Sequence, residues 1–155
     1  MDHNSRDHVG TRRTRSWWVG VVLALVGMAD SAYLWWIKVT GAYAACVNIG
    51  DCESVNSSRF AEIGGVPIAL IGLIGYMFIF VILMLELRMP GRIDFLRLTI
   101  FGVTLAGSLY SLYLTYLEVY VLHAVCPYCV VSAAVMLGLF GVSISRLKAA
   151  FQTAD

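Results

Sequence analysis

Four long apolar runs, separated by polar stretches, dominate the chain. They cover about Trp17–Ile37, Val66–Leu87, Leu98–Val121 and Pro127–Ser145. Each is close to the roughly 20 residues that carry a helix across about 30 Å of hydrocarbon. Irregular backbone cannot face lipid, so each run predicts a transmembrane helix. Between them lie a long loop over 38–65, a short charged turn over 88–97 and a very short turn near 122–126. No internal repeat or low-complexity segment interrupts this order. The pattern predicts an all-α membrane protein, a four-transmembrane-helix bundle over 17–146, flanked by tails over 1–16 and 147–155.

A cleavable secretory signal competes for the first run. Arg12, Arg13 and Arg15 precede it, and Ala29-Asp30-Ser31 offers small residues. The apolar character continues through Tyr33, Leu34, Trp35, Trp36 and Ile37. That is too long for a signal core, so a membrane helix is expected instead.

Composition agrees. Of 155 residues, 59% are hydrophobic and 14% charged, against about 25% charged in soluble domains. The formal net charge is +1, so no overall basic field points to nucleic acid. The near-neutral total conceals an asymmetry. Alternating the spans puts nine basic residues on one side (Arg6, Arg12, Arg13, Arg15, Arg88, Arg92, Arg97, Arg146 and Lys148) and only Lys38 and Arg59 on the other. The positive-inside rule then predicts cytoplasmic termini. Trp17, Trp18, Trp35 and Trp36 mark the two interfaces of the first span.

The same alternation places all four cysteines outside. Cys46 and Cys52 fall in the long loop; Cys126 and Cys129 open the fourth helix. Extracytoplasmic surroundings permit disulfides. In Cys126-Pro127-Tyr128-Cys129, proline suits the first helical position, which puts Cys126 at the N-cap. Free N–H groups and the helix dipole stabilise a thiolate there, and the thiolate is the nucleophile of disulfide exchange. Two other readings compete. C-x2-C is also a zinc half-site, which would make this a metal-binding membrane protein. Cys46 and Cys52 alone also suit a structural disulfide, as in a transporter or assembly factor with stapled outer loops.

The order of these parts resembles the vitamin K epoxide reductase family in its bacterial form. The likeness covers most of 17–145. It rests on Cys46 and Cys52 in the loop, Ser57-Ser58-Arg59-Phe60 after them, Gly65-Val66-Pro67 entering the second span, and Cys126-Pro127-Tyr128-Cys129 opening the fourth. A DsbB-type disulfide former carries its C-x-x-C in the first outer loop, whereas here it comes last.

The resemblance implies a quinone-linked thiol oxidoreductase that supports disulfide formation in exported proteins. A thioredoxin-fold, DsbA-like exported partner would deliver electrons to Cys46. Cys52 would exchange with Cys126, and Cys129 would face the quinone (ubiquinone or menaquinone), with Ser58 and Phe60 in the cofactor site and the Ser58 hydroxyl beside the ring. About ten residues follow the last span, so the partner is expected to be a separate protein. In the animal branch a tyrosine one turn after the second helix cysteine and an asparagine of the second helix contact the naphthoquinone. Here these places fall on Ala133 and the Ile68–Leu70 stretch. Plain quinone reduction is therefore expected rather than epoxide reduction.

Other polar residues have two readings each. Asp30 and Glu118 lie within spans, where acids are costly and usually functional; Glu118 reads as a proton relay or as a local hydrogen-bonding group. His123, three residues before Cys126, reads as a proton carrier or an interfacial side chain. Asp51 and Glu53 disfavour a thiolate at Cys52, and Arg59 offsets them. Tyr110, Tyr113, Tyr116 and Tyr120 share a helix face, which reads as packing against neighbours or, for one of them, as lining the quinone site. Gly72, Gly75, Ala134 and Gly138 are expected to let helices approach.

Overall fold

The computed structural model describes residues 3–41, 55 and 61–152. Helix α1 runs His3–Thr40, α2 Ile68–Arg88, α3 Ile93–Leu117 and α4 Pro127–Gln152. A two-stranded hairpin, β1 (Glu62–Ile63) and β2 (Val66–Pro67), precedes α2, and a π-helical turn, Glu118–Leu122, extends α3. All four helices contain a stretch long and apolar enough to cross a membrane. The protein is a multi-pass membrane helical bundle.

Helix boundaries differ from the hydropathy pattern for local reasons. Residues 3–16, expected as a tail, continue α1. The second helix starts at Ile68 rather than Val66, because Val66 and Pro67 pair with Ile63 and Glu62. Gly64 and Gly65 form the turn with φ of 60° and 84°, a left-handed pair that glycine adopts without steric cost. The third helix starts five residues before Leu98. Pro90–Arg92 makes the turn, and Asp94 in the first turn of α3 suits the positive end of the helix dipole. Lys38 at the end of α1 pairs with Glu62 at 3.1 Å, which ties the hairpin to the first helix.

Burial follows helical spacing, but polar groups share the interior. Ala24, Ser31 and Leu34 line the inner face of α1, and Tyr76, Ile79 and Leu83 that of α2. Thr104 and Ser108 are buried on α3 while Leu98, Leu109 and Leu112 are exposed. A helix facing lipid gains nothing from hiding leucine, so small and hydroxylated residues mediate close packing. Thr104 Oγ1 and Ser143 Oγ are 3.2 Å apart, joining α3 to α4. The Trp17 indole donates to the Leu83 carbonyl at 2.9 Å, joining α1 to α2.

The end of the bundle opposite Cys126 holds a buried ion pair. Arg146 donates to the Glu86 carboxylate, with both side chains nearly excluded from solvent. Arg97, expected in a charged turn, is buried as well.

Candidate active site

The short connection into α4 is shaped at its first residue. Glu118 begins the π-helical turn, and its carbonyl accepts the backbone N–H of both His123 and Ala124. His123 ends the turn in a left-handed conformation, φ 51°. Its side chain is exposed, so the residue serves to turn the chain. The backbone then reaches Cys126, whose carbonyl accepts the Val130 N–H at 3.1 Å. Cys126 is thus the N-cap, as Pro127 predicts.

Cys126 is 1% exposed and Cys129 partly buried, both as free thiols. Glu118 Oε2 accepts the Cys126 backbone N–H at 3.3 Å, which satisfies one of the free donors at the helix start. The single S–H of Cys129 has two acceptors in reach, the Cys126 sulfur and the Glu118 carboxylate. The donation from Cys129 holds the Cys126 thiol below its ordinary pKa. Burial opposes this, the N–H groups of Cys129 and Tyr128 reinforce it, and the Glu118 charge also opposes it. Of the two sulfurs, Cys126 is therefore the one poised as thiolate.

Val55 packs against Cys126 together with Leu122 and Tyr128. Val55 belongs to the long loop, three residues after Cys52. Cys46, Cys52, Ser58, Arg59 and Phe60, along with Asp51 and Glu53, lie outside the described residues.

Beside the two sulfurs is a cavity of about 320 Å³ between the helices. Ser31 and Leu34 of α1, Gly72 and Tyr76 of α2, Tyr110 and Glu118 from α3 and its extension, and Cys129 with Ala133 of α4 all contribute to its wall. Most of the wall is apolar, with a few hydroxyls and one carboxyl. Ala133, Ile68 and Ala69 line it, so both places expected to lack animal-type polar contacts are apolar positions at the cavity.

Other expectations fare unevenly. The tyrosine face does not pack on neighbouring helices. Tyr113, Tyr116 and Tyr120 are more than half exposed, with Tyr116 and Tyr120 stacked on each other at 4.9 Å, and Tyr110 lines the cavity. Gly72 meets Ser31, and Gly138 meets Leu23, as packing requires, but Gly75 has open space and Ala134 is exposed. Asp30 is half-buried, with Oδ2 lacking a partner.

The hydropathy pattern passed over Tyr76. Its hydroxyl donates to the Ser132 carbonyl at 2.8 Å and lies 3.0 Å from Ser132 Oγ. Ser132 is one turn beyond Cys129, so this link fixes α2 against the helix that carries the thiols. Gly27 on α1 makes room for the ring.

The model of the vitamin K epoxide reductase family matches residues 18–144. The chain belongs to that family. Its thiol pair and cavity thus sit within the family's membrane bundle. Thiol-disulfide oxidoreductase LTO1 of Arabidopsis thaliana is 36% identical over 129 residues, covering 78% of this chain and 34% of that relative. The chain spans about a third of the length of the curated relative it matches.

Proposed function

We propose that this family member is a thiol oxidoreductase that moves electron pairs from an exported thioredoxin-fold protein to a membrane quinone. The observation that carries the reading is the position of Cys126 and Cys129. A poised thiolate and its partner thiol open a helix beside an apolar cavity between transmembrane helices. The oxidoreductase named among its relatives supports the thiol chemistry.

The cavity fits a quinone ring. Its volume, about 320 Å³, lies within the usual ligand-pocket range of about 300–1,000 Å³. Apolar walls suit a lipid-soluble ring, and the Tyr110 and Ser111 hydroxyls among the lining residues can donate hydrogen bonds to its oxygens. A bound quinone supplies a two-electron, two-proton acceptor.

The protein's own residues do the rest. Cys46 exchanges with the partner's dithiol, and Cys52 exchanges with Cys126. Val55 supports this relay: it touches Cys126, and three extended residues reach about 10 Å, enough for Cys52 to approach that sulfur. Ser58 and Phe60 complete the cofactor site. Cys129, on a helix held by the Tyr76–Ser132 link, keeps its sulfur at the cavity wall. The basic asymmetry supports cytoplasmic termini in an inner membrane, with the thiols outward.

Purified protein tests the reading with a reduced thioredoxin-fold substrate and either ubiquinone or menaquinone. Cys126→Ser and Cys129→Ser are expected to abolish quinone reduction. Cys46→Ser and Cys52→Ser are expected to block turnover with the protein substrate while sparing turnover with a small dithiol. Full activity of all four variants with the protein substrate contradicts the relay.

A further inference from the structure

Glu118 is 4% exposed and yet carries its carboxyl at the wall of the cavity. It does three things at once. Its backbone carbonyl closes the π-helical turn. One carboxylate oxygen accepts the Cys126 N–H. The same carboxylate hydrogen-bonds the Cys129 thiol. A buried acid within a membrane span is costly, and capping one N–H does not require a carboxylate where asparagine or serine would serve. A π-helical turn places its first residue out of regular helical register, a device common at functional sites.

We propose that Glu118 is the proton carrier of this site, taking the Cys129 thiol proton and delivering it to the acceptor in the same cavity. The inference rests on the quinone-reducing reading above. In the reduced site, Cys126 is the thiolate, its proton already given to water, and Cys129 holds a thiol proton. Closing the Cys126–Cys129 bond breaks the Cys129 S–H bond and releases one proton and two electrons. Both electrons and two protons end on the quinone, giving the quinol. The Cys129 proton travels through Glu118. The second proton is drawn from water, which took up the Cys126 proton when the thiolate formed.

Among the described residues, the titratable groups facing Glu118 are Cys126 and Cys129 from α4, Tyr110 from α3 and Tyr76 across the cavity from α2; α1 contributes Ser31 and Leu34. Tyr76 is committed to Ser132. Glu118 is the carboxyl of this set and the group in contact with the Cys129 sulfur.

Glu118→Gln keeps the shape and a carbonyl oxygen for the Cys126 N–H but removes the proton-accepting group. Pre-reduced variant protein mixed with menaquinone or ubiquinone is expected to react about 10²-fold or more slowly. Its rate–pH profile is expected to lose the acidic limb that a carboxylate base produces. Glu118→Asp is expected to restore part of the rate and the limb. A second readout needs no quinone. Infrared difference spectra between dithiol and disulfide forms are expected to show a carboxyl carbonyl band that disappears in Glu118→Gln. A variant within threefold of the parent with an unchanged pH profile overturns the proposal, as does the absence of any Glu118 carboxyl signal. If the parent reduces neither quinone, the quinone reading fails, and the infrared result alone decides whether Glu118 exchanges a proton with Cys129.

Discussion

Tyr76 lies so close to Gly27 that a methyl group at position 27 would sit 2.4 Å from the tyrosine ring. The contact brings α2 onto α1 and leaves the Tyr76 hydroxyl aimed at Ser132 on α4. Three helices are therefore fixed at one level of the bundle, one turn from Cys129. Gly27→Ala forces the ring to move and is expected to destabilise the protein by about 1–3 kcal/mol. Gly102→Ala is the control, since Gly102 has nothing within 4 Å of the added methyl; helix propensity there favours alanine by about 0.5–1 kcal/mol. Thermal unfolding in detergent distinguishes the two. Equal loss in both variants contradicts the packing account.

Tyr76→Phe keeps the ring and removes only the hydroxyl. The Ser132 hydroxyl retains other ways to bond along its helix, so the expected cost is about 1 kcal/mol. The more informative effect is on geometry. If the link holds α4 against α2, disulfide cross-linking of cysteines engineered across these helices near Ser132 slows or broadens in Tyr76→Phe. An unchanged cross-linking rate shows that the hydroxyl does not position the thiol helix.

Much of this arrangement was legible in the residues themselves. Apolar runs of about 20 residues leave little choice but a membrane helix, and Pro127 fixes the start of α4 with Cys126 as its cap. The boundaries were harder because polar residues at span ends can continue a helix: Arg97 reads as turn yet is buried. The tyrosine spacing marked a true helix face, but spacing does not say whether that face meets protein or lipid. The role of Glu118 was equally ambiguous. A carboxyl eight residues before Cys126 reaches the thiols only because the π-helical turn and the left-handed His123 fold the chain back. The partnership of Tyr76 with Gly27 joins residues 49 apart in sequence, and no local pattern encodes it.

The Glu86–Arg146 pair, remote from the thiols, gives a stability prediction. Removing one partner leaves a buried charge uncompensated, which typically costs about 3–5 kcal/mol. Glu86→Gln or Arg146→Met is expected to lose most of that, while the double variant Glu86→Leu with Arg146→Met recovers a large part. Unfolding in detergent measures all three. Single variants as stable as the parent contradict a buried pair at this end of the bundle.

The final prediction concerns pH and the state of Cys126. Its folded pKa lies below the ordinary thiol value, chiefly because the Cys129 thiol donates to its sulfur. The sign follows from linkage. The group favours folding of the reduced protein fully above the unfolded thiol pKa, and that contribution is lost as pH falls through the lowered folded value. Thiolate absorbance, taken as the difference between parent and Cys126→Ser, is expected to rise at a pH below that of an ordinary cysteine. Cys129→Ala removes the leading donor but keeps the backbone N–H groups of the helix start. Its Cys126 titration is expected to move up, because burial and the Glu118 charge then oppose the backbone N–H groups without the thiol donor. If the titration in Cys129→Ala coincides with the parent's, the helix terminus rather than the neighbouring thiol sets the nucleophile.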